Sequence, residues 1–400
     1  MVPLHNPLPS PNLVSLRLPA VWECVGHNQG TVMKEMWQVR PFEECITKVT
    51  YTSKIQRRAF LEEGAYPIVS QEDDFINGYW DDQSDVFKVT TPIVVFGDHT
   101  KILKYVDFDF VLGADGVKLL QPSGFLLPKF FFYQLQTATL DSLGYARHYK
   151  LLKELQIAYP TLPEQRRIVG ILDEAFEGIA TGKANAEKNL QNARALFESH
   201  LQSVFTNPGE EWGERQLGEV CDFEGGSQPP KSQFLYAPKA GYVRFLQIRD
   251  FGGDKHVTYI RESPKNRSCR EDDIMIGRYG ASVGKILTGK SGAYNVALMK
   301  TIPDREVLDR AFFYHYLASN AFQELLRRVA DRSAQNGFSK EDIFPFPVPV
   351  PTLREQRAIV DRLEPLREET RRLESTFRRK LAALEALKKS LLHQAFTGQL

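Results

Sequence analysis

Cysteine is scarce and scattered. Cys24, Cys45, Cys221 and Cys269 are the only four in 400 residues, with no Cys-x-x-Cys pair among them. That excludes a disulfide framework and a cysteine-based zinc site, and makes a reducing cytoplasm the expected setting. The eight histidines show no metal-ligand spacing. No stretch approaches the ~20 apolar residues of a membrane span, so no membrane partner is expected. Charge of one sign is missing too: 51 Lys and Arg against 50 Asp and Glu leave a net charge of +1. A basic balance would point to nucleic acid; here any such contact must come from local patches or from a shared complex. Catalytic signatures are equally thin. Asn6-Pro7 and Asn207-Pro208 lack the rest of the Asn/Asp-Pro-Pro-aromatic tetrapeptide with which an adenine methyltransferase grips a flipped base, and no glycine-rich cofactor loop follows a strand. The acidic runs Glu72-Asp73-Asp74 and Glu271-Asp272-Asp273 lack the lysine spacing of a metal nuclease and read as solvated loop faces. No cofactor and no metal are expected.

What is present is a repeat. Pro160-Thr161-Leu162 and Glu164-Gln165-Arg166 return as Pro351-Thr352-Leu353 and Glu355-Gln356-Arg357, an offset of 351 − 160 = 191 residues. The same offset holds at Leu201/Leu392, Phe205/Phe396 and Thr206/Thr397. Solenoid units recur every ~20 to 50 residues, so this is a duplicated module, a variable globular segment followed by one long helix.

Five segments follow. Residues 1–36, with Pro3, Pro7, Pro9, Pro11 and Pro19, read as a mobile tail without a signal peptide, and Met33 is a second candidate start. Residues 37–157 form an α+β domain in which Pro92–Gly97 and Phe108–Gly113 are expected strands and Lys129–Lys153 is helical in parts. Residues 158–211 carry the first long helix and its linker. Its apolar face is Ile168, Leu172, Ala175, Ile179, Gly182, Ala186, Leu190, Ala193, Phe197, Leu201 and Val204, and Asn207-Pro208-Gly209 stops it. Residues 212–349 restart the domain: Trp212 and Arg215 echo Trp37 and Arg40, Tyr242–Leu246 and Ile274–Gly277 are expected strands, and Arg310–Arg328 is an expected helix. Residues 350–400 carry the second long helix, with Ile359, Leu363, Leu366, Leu373, Phe377, Leu381, Leu384, Lys388 and Leu392 on one face. The first stripe is small where the second is large, which points to two helices packed on each other. The alternative is that each packs on its own domain or on another chain. Gly178 and Gly182 cost ~1 kcal/mol each in a helix, a cost that a close neighbour would offset.

With these residues laid out, the chain resembles the specificity subunit of type I restriction–modification systems over residues 37–400. The motifs that carry the resemblance are Leu162-Pro163-Glu164-Gln165-Arg166, Thr352-Leu353-Arg354-Glu355-Gln356-Arg357, and the ending Ser390-Leu391-Leu392-His393-Gln394-Ala395-Phe396-Thr397-Gly398-Gln399-Leu400. The departures are the proline-rich start and Arg354 in the place of Pro163. The resemblance implies an α+β chain with two α/β target-recognition domains, separated by two long helices that pair as an antiparallel coiled coil. It also implies double-stranded DNA as ligand, two modification (methyltransferase) subunits and restriction subunits as partners, and no catalytic site of its own. The expected target is asymmetric and bipartite, with the helix pair as a ruler: a helix of ~60 Å spans half-sites about one DNA turn, ~34 Å, apart.

Base readout needs polar and basic side chains on loops that can enter a groove. The candidates in the first domain are Lys54, Gln56, Arg57 and Arg58, then Thr100 and Lys101, then Tyr145, Arg147 and His148 beside Gly144. In the second they are Lys231, Ser232 and Gln233, then Arg278 and Tyr279 beside Gly280, then Arg332, Ser333, Gln335 and Asn336 before Gly337. For each the plainer reading is a surface polar side chain. Thr161 and Thr352 are candidate N-caps, and the acids Glu164 and Glu355 suit a first helical turn; contact with modification subunits is the functional alternative for these turns. The competing function is a P-loop NTPase or nuclease, because Gly284–Ser291 matches the phosphate-loop pattern. That loop requires a helix directly after it. Gly292-Ala293-Tyr294-Asn295 favours a turn and a strand instead, and a β-hairpin is expected there.

Overall fold

The computed structural model describes residues 37–114, 116–140, 147–206, 209, 212–332 and 337–400. They fall into two units, one running to Ala184 and taking in Leu381–Leu400, the other Asn185–Lys380. Both long helices, Leu162–Thr206 and Leu353–Thr397, have 45 residues, and each contributes a length to both units. Among the described residues, no helix is long and apolar enough to cross a membrane.

In the first unit, Gln38–Pro41 pairs antiparallel with Gln156–Tyr159 and so brings the two ends of the domain together. Inside that clasp, a four-stranded antiparallel sheet runs in the order Ile46–Thr47, Val117–Pro122, Ile93–Gly97, Leu103–Val106. Ile93–Gly97 is buried throughout, as its unbroken apolar run requires. A second, mixed sheet places Phe110–Gly113 between Lys54–Ile55 and Tyr66–Val69, both parallel to it, with Gly78–Trp80 at the edge.

The second unit repeats this plan. Gly213–Gln216 pairs with Pro347–Val350, and a four-stranded sheet runs Cys221–Gly225, Leu298–Pro303, Met275–Gly277, Ile286–Leu287. A mixed sheet runs Tyr259–Arg261, Tyr242–Leu246, Gly292–Tyr294, Ser268–Cys269. The offset between the clasp strands grows from 213 − 38 = 175 at the start to 347 − 156 = 191 at the end, so the domains share a topology and differ in their loops. The expected helix Arg310–Arg328 is two helices, Arg310–Ala318 and Asn320–Ala330. Ser319 adopts an extended ψ of 154° and turns its hydroxyl onto the Tyr316 carbonyl at 2.6 Å, which breaks the run.

The long helices do both things that the apolar stripes allowed. Ile168, Leu172, Leu392 and Ala395 join Phe130, Phe131 and Leu135 in the first unit's main core. Leu201, Phe205, Ile359 and Leu363 join Phe312, Phe313 and Tyr316 in that of the second. Elsewhere helix meets helix, antiparallel. In the first unit a Cβ on Gly182 would lie 3.3 Å from Leu384, Lys183 pairs with Glu385, and Arg167 donates to the Leu400 carbonyl at 2.9 Å. In the second Arg194 pairs with Glu374 at 2.8 Å. Two details of the stripes need correction. Leu366 lies off the buried face and is 36% exposed, and Gly178 has open space around it rather than a close neighbour.

Helix ends follow their residues. Thr352 and Glu355 form a reciprocal capping box, with Glu355 accepting from the Thr352 N–H at 2.9 Å and donating its own N–H to the Thr352 hydroxyl at 3.3 Å. In the first helix Glu164 instead pairs with Arg167 at 2.7 Å. Gly398, at φ 76°, ends the second helix, and Gln399 donates back to the Gln394 carbonyl at 2.9 Å, a Schellman closure.

Candidate nucleic-acid interface

One loop joins two of the first domain's candidates, Arg57 and Thr100. Between Val69 and Gly78 the chain loops out, and Gln71 becomes its hub. The Gln71 carbonyl accepts from the Thr100 hydroxyl at 2.6 Å, and its side-chain oxygen accepts from the His99 N–H at 3.2 Å. The next residue, Glu72, pairs with Arg57 at 3.0 Å. Thr100 and Lys101 close a tight turn after Gly97, where a Cβ would fall 2.2 Å from the Thr100 hydroxyl, so only glycine fits. Lys101 holds φ 63°, the only non-glycine positive φ among the described residues, and its ammonium reaches the Leu140 carbonyl at 3.3 Å. Asp98, 2% exposed, ties this turn to the stretch after Arg147. Its carbonyl accepts the His148 N–H at 2.8 Å, and its carboxylate accepts the Tyr149 N–H at 2.7 Å. Lys54 lies over the Tyr51 ring at 4.9 Å and donates to the Val117 carbonyl at 3.1 Å. Gln56, Arg58 and Arg147 are exposed.

His148 is a correction. It is 1% exposed, with Nδ1 3.0 Å from the Asp98 carbonyl, so its ring packs inside the domain where no base can reach it. Tyr145, Ser333, Gln335 and Asn336, with Gly144, lie outside the described residues, as does the expected tail 1–36. Sequence reasoning missed Gln71, Asp98 and Lys104. Lys104 is 4% exposed, with its ammonium turned into the same loop toward Asn77 Oδ1 at 3.2 Å. Burial pushes that ammonium below its ordinary value, against the pull of Glu72 and Asp74. The usable signal was a lysine on the buried side of an alternating strand, Leu103-Lys104-Tyr105-Val106.

In the second domain the corresponding hairpin carries Arg278 and Tyr279. Arg278 lies over the Tyr279 ring at 5.0 Å and donates to the Phe338 carbonyl at 2.7 Å. Tyr279 bridges to Gly337, where a Cβ would come within 2.5 Å of the tyrosine ring, so the glycine is obligatory. Thus the turn after the central strand meets the segment before the last short helix in both domains: Asp98 with His148 in one, Tyr279 with Gly337 in the other. Arg332 is exposed. Lys231, Ser232 and Gln233 occupy a separate exposed 3-10 turn, ahead of Phe234, which packs on Phe245 at 5.3 Å.

The phosphate-loop pattern does not make a phosphate loop. Ile286–Leu287 and Gly292–Tyr294 are strands, Gly289 turns between them at φ 86°, and Lys290 pairs with Asp254 at 3.0 Å. The two strands belong to different sheets, which corrects the expected hairpin: they are consecutive but not partners.

What fastens each domain to its helix is the repeated glutamine. Gln165 is wholly buried, accepts from the Leu127 N–H at 2.8 Å, and donates to the Phe125 and Pro160 carbonyls at 2.8 and 2.9 Å. Gln356, also wholly buried, accepts from the Asp309 N–H at 2.7 Å and donates to the Val307 and Pro351 carbonyls at 2.8 Å each. The same three bonds are made twice, at residues 191 apart.

Residues 209–383 match the family model of the type I restriction modification DNA specificity domain. The Escherichia coli type I restriction enzyme EcoR124I/EcoR124II specificity subunit is 24% identical over 346 residues, covering 80% of this chain and 84% of that protein. By these comparisons the chain is similar to the specificity subunits of type I restriction–modification systems. The E. coli EcoDI specificity subunit is 30% identical over 284 residues, 62% of this chain and 63% of that one, so the match spans less than two thirds of that relative's length. The fold agrees with a chain solved in work on complex assembly and conformational transition of the type I R-M system, with TM-score 0.67 and 20% identity over 91% of this chain and 98% of that one.

Proposed function

We propose that this chain is the DNA sequence-recognition subunit of a type I restriction–modification complex. Residues 37–157 and 212–349 act as target-recognition domains, each reading one half of an asymmetric, bipartite target in double-stranded DNA. The observation that carries this reading is the duplicated glutamine joint. Two domains of one topology but different loops are seated on the helices by identical bonds, as a protein needs when it presents two different reading surfaces on one scaffold. The helices 158–211 and 350–400 set the number of unread base pairs between the halves. Two modification subunits and the restriction subunits supply the chemistry, and the chain itself recognises rather than catalyses, in the cytoplasm.

The reading residues of the first domain are Arg57, Arg58, Thr100, Lys101 and Arg147, with Lys54 and Gln56 beside them. Those of the second are Arg278, Tyr279 and Arg332, with Lys231–Gln233 on a separate turn. A methylome of cells carrying this gene with a neighbouring modification gene, compared with cells lacking it, tests the proposal. One two-part asymmetric motif that disappears with the gene is the expected result. An unchanged methylome, in cells where the chain still co-purifies with the modification subunit, would overturn it.

A further inference from the structure

A second joint between domain and helix is also duplicated, but with different chemistry. Asp173 on the first long helix meets two donors from the domain helix Pro128–Thr137: the Lys129 ammonium at 2.7 Å and the Tyr133 hydroxyl. The residue 191 positions on is Glu364. It meets His315 Nε2 at 3.1 Å, from the domain helix Arg310–Ala318, and Arg367 at 3.1 Å from its own helix. Tyr133 and His315 are each the sixth residue of their helix, and each helix follows a residue held by the buried glutamine, Leu127 or Asp309. The joints are therefore counterparts, and only the second contains an imidazole.

The surroundings of that ring leave it one comfortable protonation state. His315 is 1% exposed, and its Nδ1 is buried without a hydrogen-bond partner. The groups around it are Glu364, Arg367 and Arg371 on the second long helix, Phe197 on the first at 6.3 Å, and Tyr314 on its own helix, over which Arg367 lies at 4.9 Å. A neutral ring protonated at Nε2 donates to Glu364 and leaves only a lone pair at the buried, unpartnered Nδ1. A second proton would place an N–H on Nδ1 with no acceptor, beside two guanidinium groups.

We propose that His315 is the positioning residue that seats the second recognition domain on its helix, and that protonation of its ring loosens this seat, so that reading of the second half-site becomes less faithful as the pH falls. This rests on the DNA-recognition reading above. Burial holds the imidazole below its ordinary value, the Glu364 carboxylate pulls the other way, and Arg367 and Arg371 reinforce burial. The folded chain thus binds this proton less readily than the unfolded chain. The stabilisation is complete above the ordinary histidine range and shrinks as the pH falls through it. At the first joint, burial and Asp173 push the Tyr133 phenol up, so it keeps its proton and does not titrate in this window.

The test uses the complete complex with its modification subunits and three DNAs: the target, a first-half mismatch and a second-half mismatch. Binding is compared at about pH 7.5 and about pH 5.5. Discrimination against the second-half mismatch is expected to fall by about tenfold at the lower pH, and in His315→Gln, which cannot titrate, that fall should vanish. Should His315→Gln fail to assemble, His315→Tyr, which copies the first joint, takes its place. An equal fall in wild type and variant, or none in either, overturns the proposal. Thermal melting of the same proteins across this pH range reads the seat without DNA. A complex that shows the pH-dependent difference in melting but no preference for its target keeps the seat and discards the recognition reading.

Discussion

Gln165 and Gln356 illustrate how much one side chain can hold. Each uses both of its N–H donors and its oxygen on backbone groups that would otherwise be unpaired, two from the loop before the domain helix and one from the strand exit before the long helix. Replacing Gln356 with Leu should cost about 3 kcal/mol, since it strands three buried polar groups at ~1 kcal/mol or more each. Urea unfolding of the chain would measure it, and a loss below about 1 kcal/mol would remove the joint from the account. The repeat made this glutamine visible in the sequence, but as part of a capping pattern; its burial depends on loops nearly 50 positions away. The proposed reading surface has residue-scale consequences too. Arg57 is held by Glu72, so its neighbour Arg58, 1 residue on and exposed, is the better phosphate ligand. Arg58→Ala should weaken DNA binding and lower the slope of log affinity against log salt by about 1; an unchanged slope would place Arg58 away from the backbone.

At the scale of the element, the two helical glycines separate cleanly. Gly178 has open space, so Gly178→Ala should stabilise the chain by about 1 kcal/mol through helix propensity alone. Gly182 faces Leu384, where the new methyl would stand 3.3 Å from a leucine methyl. Gly182→Ala should therefore gain clearly less, and melting both variants side by side checks the order. The long helices were legible from their period. Pro365 inside the second of them passed unnoticed, because an exposed proline leaves an apolar stripe intact while removing one backbone bond. Inserting four residues at matched levels of both helices adds about 6 Å, close to two base-pair steps of ~3.4 Å. The methylated motif should then keep both halves and gain one or two base pairs between them. Altered half-sites would refute the ruler.

For the molecule as a whole, a net charge of +1 leaves little long-range attraction for DNA, so the isolated chain should bind weakly and lose affinity steeply with salt. Specificity should rise once modification subunits are present, and titrations of the chain and the complex at two salt concentrations would compare them. Lys290→Ala should leave assembly and methylation unchanged, because Lys290 is paired with Asp254 in a strand–turn–strand. Loss of nucleotide binding in that variant would revive the phosphate-loop reading.

The duplication, the two long helices, the capping box that opens the second of them, and the buried strands were determined by the sequence alone, since each rests on local periodicity or on a repeat that needs no partner to be seen. The mixed sheets, the split at Ser319, the hub at Gln71, the burial of His148 and the pairing of His315 with Glu364 were decided only in three dimensions. Each depends on which loop meets which across tens of residues, and a polar side chain reads alike in sequence whether it faces solvent or closes a joint.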